Sequence, residues 1–325
     1  MHVIGIDGGG TSTKGIIANE EGNVFATATV GATNPNSISL TEVEAEFRTL
    51  FTILKKQDNT AFSKVQKVFA GMSGVGNAYE QKKMQELMAG LLTVPKGITV
   101  DNDAIIALYS GTIGQPGIVQ IAGTGSITYG VNQNGERDRV GGWGYLIGEE
   151  AGGFALGRDG LEAAFRAHDG LQEDTEIRTL LLDYYGKKSL PHIIQSVYQR
   201  TNVKEGIASL GKLVLKAYDH GDHVAGKIIR NNGIYMGESI VCLIKRLFQT
   251  EELESGIPVV VVGGIFNRFE LFKPYMETVF DKNGVNVKLI VPEMEPVSGA
   301  VIAGLTELNV PIMPQFMDMF QMCNI

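Results

Sequence analysis

The run Asp7-Gly8-Gly9-Gly10-Thr11-Ser12-Thr13-Lys14 places one carboxylate, three successive glycines and three hydroxyls in a row. Glycines at positive φ let backbone amides face inward as an anion nest, Thr11 and Thr13 hydroxyls donate to phosphate oxygens, and Asp7 holds Mg²⁺ directly or through water. That chemistry suits the phosphates of a nucleotide. The run is neither a Walker A sequence nor a dinucleotide fingerprint, because GK[ST] is missing and the element after the glycines reads as a strand. Taken alone, it also reads as a plain glycine-rich hairpin turn.

A second passage weighs against the plain turn. At an offset of 115 residues, Ile6, Gly8, Gly10, Thr13 and Gly15 fall on Ile121, Gly123, Gly125, Thr128 and Gly130, with Thr11 on Ser126. The copy Gly123-Thr124-Gly125-Ser126 supplies an opposite cradle, in which Thr124 meets phosphate. Asp7 has only Ala122 opposite it. One carboxylate against two backbone cradles is what a single metal ion bridging two phosphates requires.

Two further clusters bear chemistry. In Val100-Asp101-Asn102-Asp103-Ala104 a strand-like run meets a helix-like one, which places carboxylates where α/β sheets hold their ligands. One of the two carboxylates takes a proton from an attacking hydroxyl, and one serves as helix N-cap. In Gly141-Gly142-Trp143-Gly144-Tyr145-Leu146-Ile147-Gly148-Glu149-Glu150 the only tryptophan lies in a glycine-bracketed loop ahead of two acids. Such a loop packs a sugar face while the carboxylates accept hydroxyl hydrogen bonds, or it is a core Trp with a solvated acidic turn. His220 and His223 read as residues of a polar loop, and the Met-rich tail PIMPQFMDMFQM as a docking or packing segment.

The elements that must position these groups follow from periodicity. VIGI and KGIIANEEGNVFATATV predict a strand and a hairpin; IVQI and ITYGVNQNGERDRVGG predict the same again. Helices are expected at 40–56, at 77–92 and across much of 150–250; the β-branched run at 257–264 reads as a buried parallel strand feeding a helix. A last strand at 286–291 and a helix at 297–308 complete the pattern. The expected fold is α/β, with two related domains, 1–115 and 116–325, a central cleft, and a helical insertion in the second.

The net charge of −8 and the lack of a Lys/Arg-rich run exclude nucleic acid and anionic membrane as main partners. Cys242 and Cys323 match no disulfide, zinc or iron–sulfur spacing. No stretch has the length of a membrane span or the pattern of a signal segment, so a cytoplasmic protein is expected. A homodimer is the commonest soluble assembly, and no stretch marks its interface.

Taken in order, IGIDGGGTSTKG, VDNDA, IAGTGSITYG, GGWGYLIGEE, VVVVGGIFNR and VSGAVIAG resemble the BadF/BadG/BcrA/BcrD ATPase family over nearly the whole chain. Within it the likeness is strongest to N-acetylglucosamine kinases, of the actin, hexokinase and Hsp70 superfold. The resemblance implies two actin-like ATPase domains with ATP and sugar in their cleft, and transfer of phosphate to the 6-hydroxyl of N-acetylglucosamine. It assigns Mg²⁺ to Asp7, the phosphates to Gly9, Gly10, Thr11 and Thr124, and the border of the adenosine to Gly263, Gly264 and Asn267. Asn34, Ser126, Gly142, Trp143, Gly144 and Glu149 fall on its sugar side, and Asp103 on the catalytic base, also in reach of the sugar. Two departures concern the sugar: Glu149 is one methylene longer than the usual Asp, and Ile127 replaces a sugar-contacting Asn. N-acetylmuramate, as sole or second substrate, and glucosamine are therefore alternatives. A sugar-sensing ATP-binding protein is the reading outside catalysis.

Overall fold

A computed structural model describes residues 1–148, 150–199, 202–249 and 255–322. The chain divides into two compact units, the first running from Met1 to Gly117 and resuming at Ile290, the second spanning Ile118–Leu289.

In the first unit, β1 (His2–Gly8), β2 (Thr13–Ala18), β3 (Val24–Val30), β4 (Val65–Met72) and β5 (Ile98–Asn102) form a sheet in the order β3-β2-β1-β4-β5. The hairpin strands β1, β2 and β3 pair antiparallel, whereas β4 and β5 join parallel to β1. Residues alternate between the sheet's two faces. Ile4 and Ile6 pack with Val43, Phe47, Leu50 and Leu54 of α1 (Leu40–Gln57), while Val3 packs with Val297 and Val301 on the other side. The first turn of α1 is closed by a capping box between Ser39 and Glu42. Short α2 (Asn59–Ser63), α3 (Ala78–Ala89) and α4 (Asp103–Thr112) complete this part of the unit.

In the second unit, β6 (Gly117–Ala122), β7 (Ser126–Val131), β8 (Arg137–Gly141), β9 (Ile257–Val262) and β10 (Val287–Ile290) lie in the order β10-β9-β6-β7-β8. Read from the hairpin edge, this order repeats the first sheet, strand for strand, as the 115-residue repeat leads one to expect. Between β3 and β4 stand α1 and α2. At the equivalent place, between β8 and β9, the described residues hold six helices: α5 (Gly153–His168), α6 (Glu176–Tyr185), α7 (Pro191–Tyr198), α8 (Val203–Ala208), α9 (Gly211–Asp219) and α10 (His223–Leu247). This is the expected helical insertion. After β9 a 3-10 helix, Gly264–Arg268, leads into α11 (Phe269–Asn283).

The C-terminal stretch departs from the expected boundaries. The division falls at Gly117, close to the expected 115/116, but from Ile290 onward the chain belongs to the first unit and not the second. The reason is packing. In α12 (Pro296–Glu307) the small residues let the helix lie against β1 and α4: a Cβ on Gly5 would meet Val301 at 2.8 Å, and one on Gly299 would meet the Ile106 carbonyl at 1.8 Å. The Met-rich tail is a packing segment. Its α13 (Phe316–Gln321) buries Phe316 and Phe320 with Val3, Ile16 and Val301. Among the described residues no helix is long and apolar enough to cross a membrane.

Candidate active site

In the first unit the candidate residues gather at the carboxyl ends of the parallel strands. Asp7 ends β1 in register with Gly71 of β4, which is itself in register with Asp101 of β5. Asp103 opens α4 two residues further on. The turn after β1 closes through Gly9 N–H to the Ser12 carbonyl at 3.0 Å, and Gly10 and Thr11 stand exposed at its tip. Two loops pack against it: Thr33 N–H donates to the Gly9 carbonyl at 3.1 Å and Ser73 N–H to the Gly8 carbonyl at 2.8 Å. Asn34 bridges these loops. Its Nδ2 donates to Ser73 Oγ at 3.2 Å and its Oδ1 accepts from Asn36 N–H at 2.8 Å.

Electrostatics distinguishes two carboxylates here. Burial, the charge of Asp103 and that of Glu295 push Asp7 up to about 6 against the pull of Lys14. Burial also lifts Asp103 above the usual carboxylate range, opposed by hydrogen bonds from its own and the Ala104 backbone N–H. Lys14 is held 2.5 Å from Glu295, which precedes α12, so the nearby cation is already paired. The negative charge around Asp7 is therefore under-compensated, which is the environment a divalent cation relieves.

In the second unit the copy of the turn is docked on a helix. Gly123 and Thr124 carbonyls accept from Gly153 and Phe154 N–H at 2.8 Å each, occupying amides at the start of α5, where no side chain caps. A Cβ on Gly152 would come within 2.6 Å of Gly125, so only glycine allows that docking. Gly263, with φ +112°, lies against the same turn: a Cβ there would meet the Ala122 carbonyl at 2.4 Å. Gly264 and Asn267 follow, exposed, on the 3-10 helix, and Thr124 is exposed in the turn.

The Trp143 loop is built on β8. Gly141, Gly142 and Gly144 adopt positive φ, and Trp143 stays 60 % exposed beneath the Arg139 guanidinium. It is not a core residue.

The profile of the BadF/BadG/BcrA/BcrD ATPase family matches residues 4–304. The chain belongs to this ATPase family. An N-acetylmuramic acid/N-acetylglucosamine kinase of Clostridium acetobutylicum is 29 % identical over 308 residues, 95 % of this chain and 99 % of that protein. An N-acetyl-D-glucosamine kinase of Dictyostelium discoideum is 28 % identical over 312 residues, 93 % and 97 % of the two chains. The solved structure of a candidate N-acetylglucosamine kinase from Chromobacterium violaceum shares the fold, with a TM-score of 0.70 at 24 % identity over 93 % of this chain and 98 % of that one.

Several local expectations for this BadF/BadG/BcrA/BcrD member need correction. The glycines of the two turns do not use positive φ; Gly8 and Gly9 are required because a Cβ would meet Thr33 Oγ1 or the Ser12 carbonyl at 2.8 Å. Thr13 is fully buried, its hydroxyl 2.8 Å from that of Thr33, and cannot reach a ligand. Neither Asp101 nor Asp103 caps α4. Asn102 does, accepting from Ile105 N–H, while buried Asp101 accepts from Asn102 N–H and Gln81 Nε2. Glu150 is committed to Arg158, and Glu149 lies outside the described residues. Ser126 is buried, its Oγ accepting from Gln120 Nε2 at 2.9 Å. Glu295, Gln81 and Gln120 had no signal in the sequence, because their partners come from other elements.

Proposed function

We propose that this chain transfers the γ-phosphoryl group of ATP to the 6-hydroxyl of an N-acetylated amino sugar, N-acetylglucosamine being the first to test. The carrying observation is the electrostatic pair Asp7 and Asp103 at the carboxyl ends of β1 and β5 in a member of a family of ATPases. Relatives named as amino-sugar kinases over nearly their whole length support the substrate class.

On this reading Asp7 holds Mg²⁺, whose environment its under-compensated charge suits. When bound, Mg²⁺ neutralises charge on the transferring phosphoryl group. Gly9, Gly10 and Thr11 of the first turn and Thr124 of the second hold the phosphates, while Gly263, Gly264 and Asn267 border the adenosine. Asn34 orients the sugar, held for that purpose by Ser73 and Asn36. Gly142, Trp143 and Gly144 present a glycine loop and an exposed indole to the sugar, while buried Ser126, bonded to Gln120, lies beneath that side of the site. Asp103 is the general base. It takes the proton as the 6-oxygen attacks phosphorus and the bond to the ADP oxygen breaks; burial, which raises its affinity for a proton, suits that role.

The test is ADP release by purified protein given MgATP and, separately, N-acetylglucosamine, N-acetylmuramate, glucosamine and glucose. Release dependent on an N-acetylated sugar, with the 6-phosphate seen by NMR, is the expected outcome. No stimulation by any sugar overturns the reading.

A further inference from the structure

Among the described residues three that are not glycine have positive φ: Ile113, Ala151 and Asn309. Ile113 caps the C-terminus of α4 and Asn309 follows that of α12, where a left-handed residue is a common way to end a helix. Ala151 has no such reason. At φ +66° and fully buried, it stands just ahead of a helix start, next to Gly152, the residue before α5. A non-glycine residue keeps that conformation only where its surroundings hold it there.

What holds it is Asn232, a buried residue of α10. Its Oδ1 accepts from Ala151 N–H at 3.0 Å, while its Nδ2 donates to the Ile228 carbonyl at 2.9 Å and to Asp159 Oδ2 at 3.3 Å. Two acceptors facing the NH₂ group fix which end of the amide meets Ala151. The preceding residue is gripped as well: Arg158 donates to Glu150 through Nη1 and Nη2, at 3.2 and 2.5 Å, and to Asp159 through Nε and Nη2. The consequence lies one residue on. Gly152 packs against Gly125, and the next two amides, of Gly153 and Phe154, donate to the Gly123 and Thr124 carbonyls at 2.8 Å each. Were Ala151 to leave the left-handed region, the chain would enter α5 in another direction and those amides would part from the turn.

We infer that Asn232 is a positioning residue for nucleotide binding: by holding Ala151 left-handed it sets the start of α5, and through α5 the place of the Gly123–Gly125 turn. Among the described residues Asn232 makes no hydrogen bond to that turn, so its effect passes through Ala151. This role rests on the reading that the second turn, with Thr124, holds the phosphates of ATP.

The test is the affinity for a non-hydrolysable ATP analogue with Mg²⁺, by isothermal titration, in the wild type, Asn232→Leu, Ala151→Gly and the double variant, with thermal midpoints taken on the same samples. Asn232→Leu keeps the size of the side chain and removes its three hydrogen bonds. It should weaken analogue binding by roughly 10-fold, the loss of about one buried hydrogen bond. Glycine visits the left-handed region at no steric cost, so Ala151→Gly alone should bind as the wild type does. In the Asn232→Leu background it should recover roughly 3-fold or more of the lost affinity. Should Asn232→Leu not fold, Asn232→Ser, which fits the same space but is too short to reach Ala151, takes its place with the same expectations. A lower thermal midpoint with unchanged affinity would make Asn232 a core brace and overturn the role. A loss of affinity that Ala151→Gly does not recover would overturn it too, since Asn232 would then not act through Ala151. If the wild type binds the analogue yet phosphorylates no sugar, the kinase reading falls and the affinity ratios still decide this role. If the wild type binds no analogue, both fall.

Discussion

The charge of Asp103, at the first residue of α4, reaches Asp7 at the end of β1 and, after burial, is the largest influence holding that carboxyl up to about 6. A folded value above the unfolded one means that the stability from protonated Asp7 is fully present below about pH 4 and is lost as pH rises through about 6. Ionised Asp7 therefore strains the ligand-free fold at neutral pH. Asp7→Asn should be the more stable protein at pH 8, by on the order of 3 kcal/mol at most, with the gap closing towards pH 4. Thermal unfolding of both proteins from pH 4 to 8 checks this; a gap independent of pH would contradict it. The same variant should lose MgATP-dependent turnover.

Protons and Mg²⁺ should compete for Asp7. Mg²⁺ affinity in the presence of a non-hydrolysable ATP analogue is expected to fall as pH drops below about 6. Isothermal titration across that window gives the slope, and Asp7→Asn should flatten it.

Asp103→Asn removes the proposed base but keeps its size. Turnover should drop by roughly 100-fold to 10,000-fold, with KM for ATP little changed and thermal stability equal or higher, because a buried charge is gone. Wild-type turnover in this variant would remove Asp103 from the chemistry.

Asn102 caps the helix that Asp103 opens, so its loss should be felt twice. Asn102→Ala is expected to lower stability by about 1 kcal/mol and to lower kcat, whereas Asn102→Ser restores the cap and most of both. Urea unfolding and turnover on the same samples separate the two effects.

Gly299→Ala places a methyl 1.8 Å from the Ile106 carbonyl, and neither backbone can give way without parting α12 from α4. A loss of about 3 kcal/mol is expected. Gly76→Ala, with nothing within 4 Å of the added carbon, should change stability by less than about 0.5 kcal/mol. Denaturant midpoints of the pair check both.

Much of the architecture was legible along the chain. Period-two apolar runs and the 115-residue repeat marked both sheets, and the helix expected at 40–56 lies at 40–57. These signals are local: a strand or an amphipathic helix declares itself within a few turns of its own sequence. The return of the chain from Ile290 to the first unit was not legible, because it depends on how closely α12 fits Gly5 and Ile106.

At the candidate site the same division holds. Residue types together with the 115-residue repeat marked Asp7, the paired turns, Asp101 or Asp103, and the Trp143 loop as candidates, since the same turn occurring twice weighs against a plain hairpin. Which carboxylate's charge acts on Asp7, that Thr13 is spent on Thr33 and that Lys14 is spent on Glu295 were decided by the tertiary structure. Each of those outcomes depends on a partner carried by another segment or on depth below the surface. Burial and the partner's approach set whether a polar group is free for a ligand, and neither is written in the residue's own neighbourhood in the chain.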